Sequence, residues 1–330
     1  MKYEFLGKTG LKVSSLCFGT MSFGGIADEK TSKDMFNKCR DSGINFFDCA
    51  DVYEKGRSEE VLGKLIADCR YEVVITSKTY FKISDDVNGM GASRHHIMRS
   101  IEASLKRLNT DYMDLYFIHR FDDRTPIEET LACLNDLVRS GKVLYLGASN
   151  FAAWQVAKAL GISQMQGWSR FECIQPMYNL VKRQAEVELF PLALSESLAV
   201  IPYSPLGGGL FSGKYGRDLK PSSGRLVENT MYQTRYADKW MYQVAEDFTH
   251  LAGELGHHPA SLAVAWVASN KAVTAPIIGA RNAKQLEASI QSIDIDITDE
   301  IKQKIESLTY MPPPATDRNE ERTSHNYGLR

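Results

Sequence analysis

Residues 46–53 read Phe-Phe-Asp-Cys-Ala-Asp-Val-Tyr, a short apolar run that passes directly into a polar loop. The apolar part, residues 44–47, is typical of a parallel strand that is covered on both faces. Asp48 stands at the carboxyl end of this strand, and Tyr53 follows five residues later. A buried carboxylate is costly without a cationic partner, so Asp48 predicts a lysine or arginine nearby in the fold.

Two later predicted strands also end in side chains that can do chemistry. Residues 73–77 lead to Lys78, and residues 115–118 lead to His119. Taken singly, Lys78 is equally well explained as a solvated strand end, and His119 as a core histidine. An Asp, a Tyr, a Lys and a His at or just after the ends of three strands together indicate a catalytic centre.

A predicted strand followed by a predicted helix recurs along the whole chain. The strands are expected near residues 15–18, 44–47, 73–77, 113–118, 143–147, 174, 199–203 and 273–278. Such a series, with no linker rich in glycine and serine, predicts one α/β domain over residues 1–330, a (β/α)8 TIM barrel. The rival doubly wound sheet is disfavoured because the sequence contains no Gly-x-Gly-x-x-Gly motif.

Additions to the barrel are expected at three places. Residues 2–5 and 11–15 flank a turn at residues 7–10 and predict an N-terminal hairpin. A long loop over residues 204–237, followed by an extra helix over 238–255, interrupts the repeat after the seventh strand and is expected to cover a ligand. A last helix around Ile301 and Ile305 leads to a Pro-rich tail, residues 309–330, that is either flexible or covers the site.

Composition excludes several function classes. The net charge of −2 offers no basic surface for nucleic acid or an anionic membrane. The sequence has no apolar run of the roughly 18 residues that span a bilayer, and no signal-peptide core near Met1. The six cysteines are scattered without a Cys-x-x-Cys pair, which predicts a reduced, cytoplasmic protein without a metal site.

At this point the residues resemble the aldo-keto reductase superfamily over essentially the full chain. The spacing of Asp48 and Tyr53, with Lys78 and His119, is similar to the catalytic tetrad of that family. The segments 147–150, 203–206 and 277–281 resemble its cofactor-binding segments. The run 119–130 resembles the branch that contains bacterial aryl-alcohol dehydrogenase-like reductases.

The resemblance implies reduction of an aldehyde or ketone, aryl or alkyl, by hydride from NADPH. Tyr53 would protonate the developing alkoxide as general acid. A free phenol has a pKa near 10, so Lys78 is expected to lower the pKa of Tyr53 toward neutrality. Asp48 would keep Lys78 charged and aimed, and His119 would hydrogen-bond the substrate oxygen.

The resemblance also implies where NADPH (NADP+) binds. Ser149, Asn150 and Gln175 would hydrogen-bond the nicotinamide carboxamide, Tyr203 would stack under the ring, and Arg281 at the start of a helix would bind the 2′-phosphate. The full set of expected cofactor-binding residues is Gly19, Thr20, Met21, Asp48, Ser149, Asn150, Gln175, Tyr203, Ser204, Pro205, Leu206, Gly207, Gly209, Leu210, Lys214, Arg225, Ile278, Gly279, Arg281 and Gln285.

Substrate recognition is less constrained by the sequence. Its candidates are Phe23, Tyr80, Phe81, Arg120 and Phe121, a mainly aromatic set that fits an apolar or aryl carbonyl compound. One departure from the family concerns the adenine side. Ala288 and Ser289 stand where the family often has an acid and an asparagine, which predicts weaker adenine anchoring.

Two other functions stay open. The resemblance extends to the β subunits of voltage-gated potassium channels, which share the fold and keep a bound nicotinamide cofactor, so a regulatory role is an alternative. The same four residues would also serve an NADP+-dependent alcohol or sugar dehydrogenase, because the tetrad works in both directions.

Overall fold

A computed structural model describes residues 1–323 of the chain, and it begins with the expected hairpin. Strands β1 (Tyr3–Phe5) and β2 (Lys12–Ser14) pair antiparallel. Leu6 and Val13 from this hairpin belong to the same buried cluster as the inward-facing residues of the following strands. The hairpin therefore covers one end of the barrel that the following strands form.

Eight parallel strands form the centre of the molecule, and they confirm the predicted barrel. They are β3 (Cys17–Gly19), β4 (Phe46–Asp48), β5 (Val74–Thr79), β6 (Met113–Ile118), β7 (Val143–Ser149), β8 (Phe171–Gln175), β9 (Ala199–Val200) and β10 (Ile277–Ile278). The strand order is β10-β3-β4-β5-β6-β7-β8-β9. Backbone hydrogen bonds from Ile277 N to Pro202 O (2.9 Å) and from Thr274 N to Val200 O (2.8 Å) join the two ends of this order. The sheet thereby closes into a ring.

Helices cover the outside of this ring, except two short ones that lie in the long loop after β9. They are α1 (Glu29–Asp41), α2 (Arg57–Ile66), α3 (Arg94–Leu108), α4 (Ile127–Arg139), α5 (Ala153–Gln166), α6 (Leu189–Glu196), α7 (Arg225–Glu228), α8 (Thr230–Arg235), α9 (Lys239–Glu254), α10 (Pro259–Ala268), α11 (Ala283–Ile290) and α12 (Asp299–Ser307). The helix α9 is the extra helix expected after the seventh strand, and α12 is the expected C-terminal helix.

Three details differ from the sequence prediction. Helix α10 was missed because it is apolar on all sides and buried, so its sequence shows no amphipathic periodicity. Gly161 predicts the end of a helix over residues 152–160, but α5 continues to Gln166. An added side chain at Gly161 would meet no other atom, so the glycine is merely tolerated there. The long loop after β9 is not irregular throughout, because it contains the short helices α7 and α8.

Two separate cores follow from the alternation of side chains along the strands. Phe46, Val74, Leu115 and Phe117 point into the ring and pack together. Their neighbours in sequence, such as Phe47 and Tyr116, pack outward against the helices. Two residues beyond Phe46 and Phe117 on the same face come Asp48 and His119, so the inward face changes from apolar to polar at the carboxyl ends of the strands.

The described part of the tail begins at the loop that follows β8. Thr309 Oγ1 donates to Leu180 O at 2.7 Å. Residues 309–323 supply no side chain to the cavity described below, and residues 324–330 of the predicted tail lie outside the described residues. Across residues 1–323, no helix combines the length and apolar character needed to cross a membrane.

Candidate active site

A cavity of about 1040 Å³ opens at the carboxyl ends of the barrel strands. One side is formed by strand ends and the loops that follow them, from Gly19 to Gln175. The other side is formed by residues 203–235 and by the start of α11. In a (β/α)8 barrel this is the end at which active sites are found.

Lys78 lies beneath the floor of the cavity, fully buried, and its ammonium group has three acceptors. Nζ donates to Asp48 Oδ2 at 2.7 Å, to Cys49 O at 2.6 Å and to the Tyr53 hydroxyl at 3.4 Å. Burial alone would lower the pKa of Lys78, but the charge of Asp48 and its hydrogen bond to Lys78 raise that pKa above its ordinary value. The lysine is therefore held in its charged form, as the sequence predicts.

Asp48 is fixed through its second carboxylate oxygen. Thr76 Oγ1 donates to Asp48 Oδ1 at 2.7 Å, and Gln175 Nε2 donates to the same oxygen at 2.9 Å. Sequence reasoning missed Thr76, although it lies two residues before Lys78 and therefore on the same inward face of β5. Gln175, expected to contact the nicotinamide, lines the cavity and also donates one amide N–H to Asp48.

Tyr53 begins the short 3₁₀ turn Tyr53–Gly56 that precedes α2. Its hydroxyl accepts a hydrogen bond from Lys78, so its own proton is available to a group in the cavity. Burial raises the pKa of Tyr53, and the Lys78 charge opposes this rise without reversing it. The expected influence of Lys78 has the right sign, but the net shift is upward because burial outweighs it.

His119 follows β6 and is nine-tenths buried. Burial lowers the pKa of His119 well below its ordinary value, and the nearby Lys78 charge lowers it further, so the imidazole is neutral at neutral pH. Its ring lies 6.0 Å from the Tyr53 ring and 4.8 Å from the Phe81 ring, centroid to centroid. A neutral imidazole beside the Tyr53 hydroxyl can hydrogen-bond a substrate oxygen.

Asn150 links His119 to the opposite wall of the cavity. Its Nδ2 donates to His119 O at 2.8 Å and to Ser149 Oγ at 3.0 Å, while its Oδ1 accepts from the Tyr203 hydroxyl at 2.7 Å. The backbone of Asn150 is left-handed, with φ +55°, a conformation that asparagine tolerates better than most residues. These bonds place the Tyr203 ring on the cavity wall, where it offers a flat surface.

The far end of the cavity is lined by cations and by glycine backbone. Gly209 lines it with φ +107°, and an added side chain there would point into open space, so the backbone is accessible to a ligand. Lys214 and Arg225 lie on the same loop. Arg281 lies just before α11, and its Nη2 is 3.3 Å from Glu228 Oε2 at the end of α7. Such a set suits a phosphate-bearing ligand.

Most of the expected site residues meet in this one cavity. Asp48, Tyr53 and His119 line it, with Lys78 beneath them. Of the expected cofactor residues, it is lined by Gly19, Met21, Asp48, Ser149, Asn150, Gln175, Tyr203, Ser204, Pro205, Leu206, Gly209, Lys214, Arg225, Ile278, Gly279, Arg281 and Gln285. Of the expected substrate residues, Phe81 and Arg120 line it.

Several expected residues lie elsewhere. Thr20 is buried, and its hydroxyl donates to Asp48 O at 3.1 Å, so it joins two strand ends. Phe23 packs against Phe18 in the outer core, with ring centroids 5.6 Å apart. Gly207, Leu210, Tyr80 and Phe121 are likewise absent from the cavity lining.

The adenine-side departure has a structural counterpart. Gln285 and Ala288 both line the cavity, so Ala288 offers only a methyl group there. Ser289 is buried and does not line the cavity.

Cavity residues that sequence reasoning missed include Tyr232 and Arg235 of α8. The sequence did predict that the long loop, residues 204–237, covers a ligand. It gave no basis for deciding which side chains of that loop would line the cavity. Among residues 1–323, no cluster of three or more His, Cys, Asp or Glu could hold a metal ion.

The chain is similar to known proteins over most of its length. Residues 15–309 match the model of the aldo/keto reductase family. An uncharacterized oxidoreductase of Bacillus subtilis, YrpG, is 40% identical, covering 93% of this chain and 96% of its own. A probable voltage-gated potassium channel subunit beta of Arabidopsis thaliana is 36% identical, covering 94% and 99%. Versiconal hemiacetal acetate reductase of Aspergillus parasiticus is 33% identical, covering 94% and 98%.

Proposed function

The chain belongs to the aldo/keto reductase family of NAD(P)-dependent oxidoreductases, and we propose that it reduces an aldehyde or ketone to the alcohol with NADPH. The observation that supports this most strongly is the bonding of Lys78. All three of its ammonium protons are directed at acceptors, one of which is the Tyr53 hydroxyl. A hydroxyl that accepts from an ammonium group has its own proton free for a substrate oxygen.

In this proposal Tyr53 is the general acid. As negative charge develops on the carbonyl oxygen, the Tyr53 proton moves to it, and the resulting phenolate is stabilised by the charge of Lys78. Asp48 keeps Lys78 charged within a buried site, and Thr76 and Gln175 keep Asp48 in place. The upward-shifted pKa of Tyr53 keeps its hydroxyl protonated at neutral pH, which is the form that a general acid needs.

His119 would orient the carbonyl group. Because its imidazole is neutral, it can donate one hydrogen bond to the substrate oxygen without competing for the proton that Tyr53 delivers. Its backbone carbonyl is held by Asn150, which fixes its distance from the Tyr203 wall. Two donors on one oxygen polarise the carbonyl bond and set its approach.

The cavity fits a nicotinamide dinucleotide. Bound NADPH would supply the hydride that attacks the carbonyl carbon. Ser149, Asn150 and Tyr203 would hold the nicotinamide end near Tyr53. The open backbone of Gly209, with Lys214 and Arg225, would bind the pyrophosphate. Arg281 and the start of α11 would bind the 2′-phosphate, which supports NADPH over NADH.

The test is turnover with identified product. Purified protein is mixed with NADPH and a panel of aryl and alkyl aldehydes, diketones and sugars, and both nicotinamide oxidation and alcohol formation are measured. We expect equal amounts of alcohol and NADP+ from at least one class. Lys78→Met should lower the rate by about a hundredfold or more, whereas Lys64→Met, an exposed lysine, should not. Absence of any alcohol product would refute the proposal.

A second candidate function is association with a membrane channel, favoured by the names of the plant relatives. It supposes that NADPH binding serves a regulatory role. Tight NADPH binding without turnover of any carbonyl compound would favour this alternative.

A further inference from the structure

The lining of the cavity is strongly unbalanced in charge. Among the residues of the described chain that line it, Asp48 is the one carboxylate, and it is already paired with Lys78. The lining cations number six: Arg120, Lys214, Arg225, Arg235, Arg281 and Lys284. A cleft with one sign of charge concentrates ligands of the opposite sign.

Four of these cations suit the phosphates of the proposed cofactor. Arg281 and Lys284 flank the start of α11, and Lys214 and Arg225 belong to the loop with the open glycine backbone. Arg120 and Arg235 remain. Within residues 1–323 neither has an ion pair, so their charges are available to a ligand.

These two arginines lie at the catalytic end. Arg120 directly follows His119 on the loop after β6. Arg235 ends α8 with its guanidinium carbon 5.2 Å from the Tyr232 ring centroid. Tyr236, the next residue, accepts a hydrogen bond from Asn179 Nδ2 at 3.1 Å, and the same Nδ2 donates to Ser204 O at 3.0 Å. The end of α8 therefore lies beside Ser204, the residue that follows Tyr203. The Tyr203 hydroxyl is in turn 2.7 Å from Asn150, which holds His119.

We propose that the substrate is an anionic carbonyl compound, an aldehyde or ketone bearing a carboxylate or phosphate that Arg235 and Arg120 bind. A guanidinium matches either group through paired hydrogen bonds. With the anion held there, the carbonyl group lies toward Tyr53 and His119. The inference rests on the proposed reductase function and replaces a purely apolar aryl substrate with a charged one.

The experiment compares matched substrates. One pair is 4-carboxybenzaldehyde and its methyl ester, and the other is glyceraldehyde 3-phosphate and glyceraldehyde. For each pair the ratio of kcat/KM, charged over neutral, is measured in wild type, Arg235→Gln, Arg235→Lys and Arg120→Gln. The matched control is Arg139→Gln, because Arg139 ends α4 outside the cavity and its loss changes net charge equally. Comparing this ratio between variants cancels the difference in carbonyl reactivity between the two members of a pair.

We expect at least one pair to favour the charged member in wild type. Arg235→Gln should lower that ratio about tenfold, as charged hydrogen bonds of this kind allow, and should raise KM more than it lowers kcat. Arg235→Lys should retain part of the ratio, and Arg139→Gln should retain all of it. The pair that responds distinguishes a carboxylate from a phosphate.

Two results would overturn the proposal. One is turnover of neutral aldehydes without preference for either charged partner, which leaves the reductase function standing. The other is an equal loss for charged and neutral substrates in Arg235→Gln with weaker NADPH binding, which would assign Arg235 to the cofactor. Binding of 4-(hydroxymethyl)benzoate to the NADP+ complex gives a readout without turnover, and failure of wild type to bind it more tightly than its methyl ester would also count against a carboxylate substrate.

Discussion

The two ends of the cavity are built differently. At the catalytic end, Asp48, Lys78 and His119 stand on or directly after barrel strands, and the Asp48–Lys78 pair is almost fully buried, with 3% and 0% of the side chains exposed. At the far end, Arg281 pairs with Glu228 across two loops, with 30% and 52% exposed. At the catalytic end, the barrel strands hold the functional side chains in place. At the far end, Arg281 is held by an exposed partner that it can exchange for a ligand.

The largest effect among changes away from the reacting hydroxyl is expected at the buried pair. Asp48→Ala leaves Lys78 as an uncompensated buried charge and should lower the free energy of unfolding by about 3–5 kcal/mol. Denaturant titration measures this. Asp136→Ala, which removes a half-exposed partner of Arg94, should cost less than about 1 kcal/mol. Equal losses in the two variants would remove the distinction between a buried and an exposed pair.

A pH-dependent effect is expected next to the catalytic end, at Asp51. Burial and the nearby Glu59 charge raise the pKa of this carboxyl from 3.8 to about 8, although Arg107 opposes the rise. Between those values the unfolded chain releases the proton and the folded chain keeps it, so Asp51 lowers stability progressively as pH rises. Asp51→Asn removes this loss.

The stability of Asp51→Asn relative to wild type should therefore increase by a few kcal/mol between about pH 4 and pH 8, because each pH unit in this interval contributes at most about 1.4 kcal/mol. Denaturant titration across this range measures it. A constant difference between the two proteins would show that the folded carboxyl is already ionised.

At the far end we expect a cofactor-specific effect. Arg281→Ala should weaken NADPH binding about tenfold and leave NADH binding nearly unchanged, because only NADPH carries the 2′-phosphate. Fluorescence titration of both nucleotides measures the two dissociation constants. Equal weakening for both would assign Arg281 to the pyrophosphate or the adenine instead.

The smallest effect is expected at the partner of Arg281. Glu228→Gln frees the guanidinium and should tighten NADPH binding about two- to threefold at low salt, an amount typical of an exposed ion pair. Added salt should reduce the gain, since it screens exposed charges. Weaker NADPH binding in this variant would show that Glu228 positions Arg281 rather than competes for it.

The same contrast explains what the sequence could predict. Asp48, Lys78 and His119 were identifiable because each stands at or directly after the end of a short apolar run, and the carboxyl ends of barrel strands meet at one face. Helix α10 could not be identified, because a helix that is apolar on all sides lacks the alternation of apolar and polar residues that predicts a helix. Gln175 was assigned to the nicotinamide, and its bond to Asp48 depends on β8 lying across the barrel from β4, which local patterns do not encode.

At the far end, composition indicated a covering loop but not its details. The pairing of Arg281 with Glu228 joins residues far apart in sequence. Arg235 reaches the cavity only because α8 forms within the loop, and polar residues such as those of α8 fit helix and loop equally well.

At the catalytic end, the direction of the Tyr53 pKa shift could not be predicted from the sequence, because the balance between burial and the Lys78 charge depends on packing.

The most direct test of Tyr53 as the proton donor is the single-turnover rate of Tyr53→Phe at saturating NADPH. This change removes the hydroxyl that accepts from Lys78 and keeps the ring beside His119. We expect the rate of alcohol formation to fall about 10²- to 10⁴-fold, with NADPH affinity and thermal stability close to those of wild type. A rate near that of wild type would contradict the account, because another group would then be the proton donor.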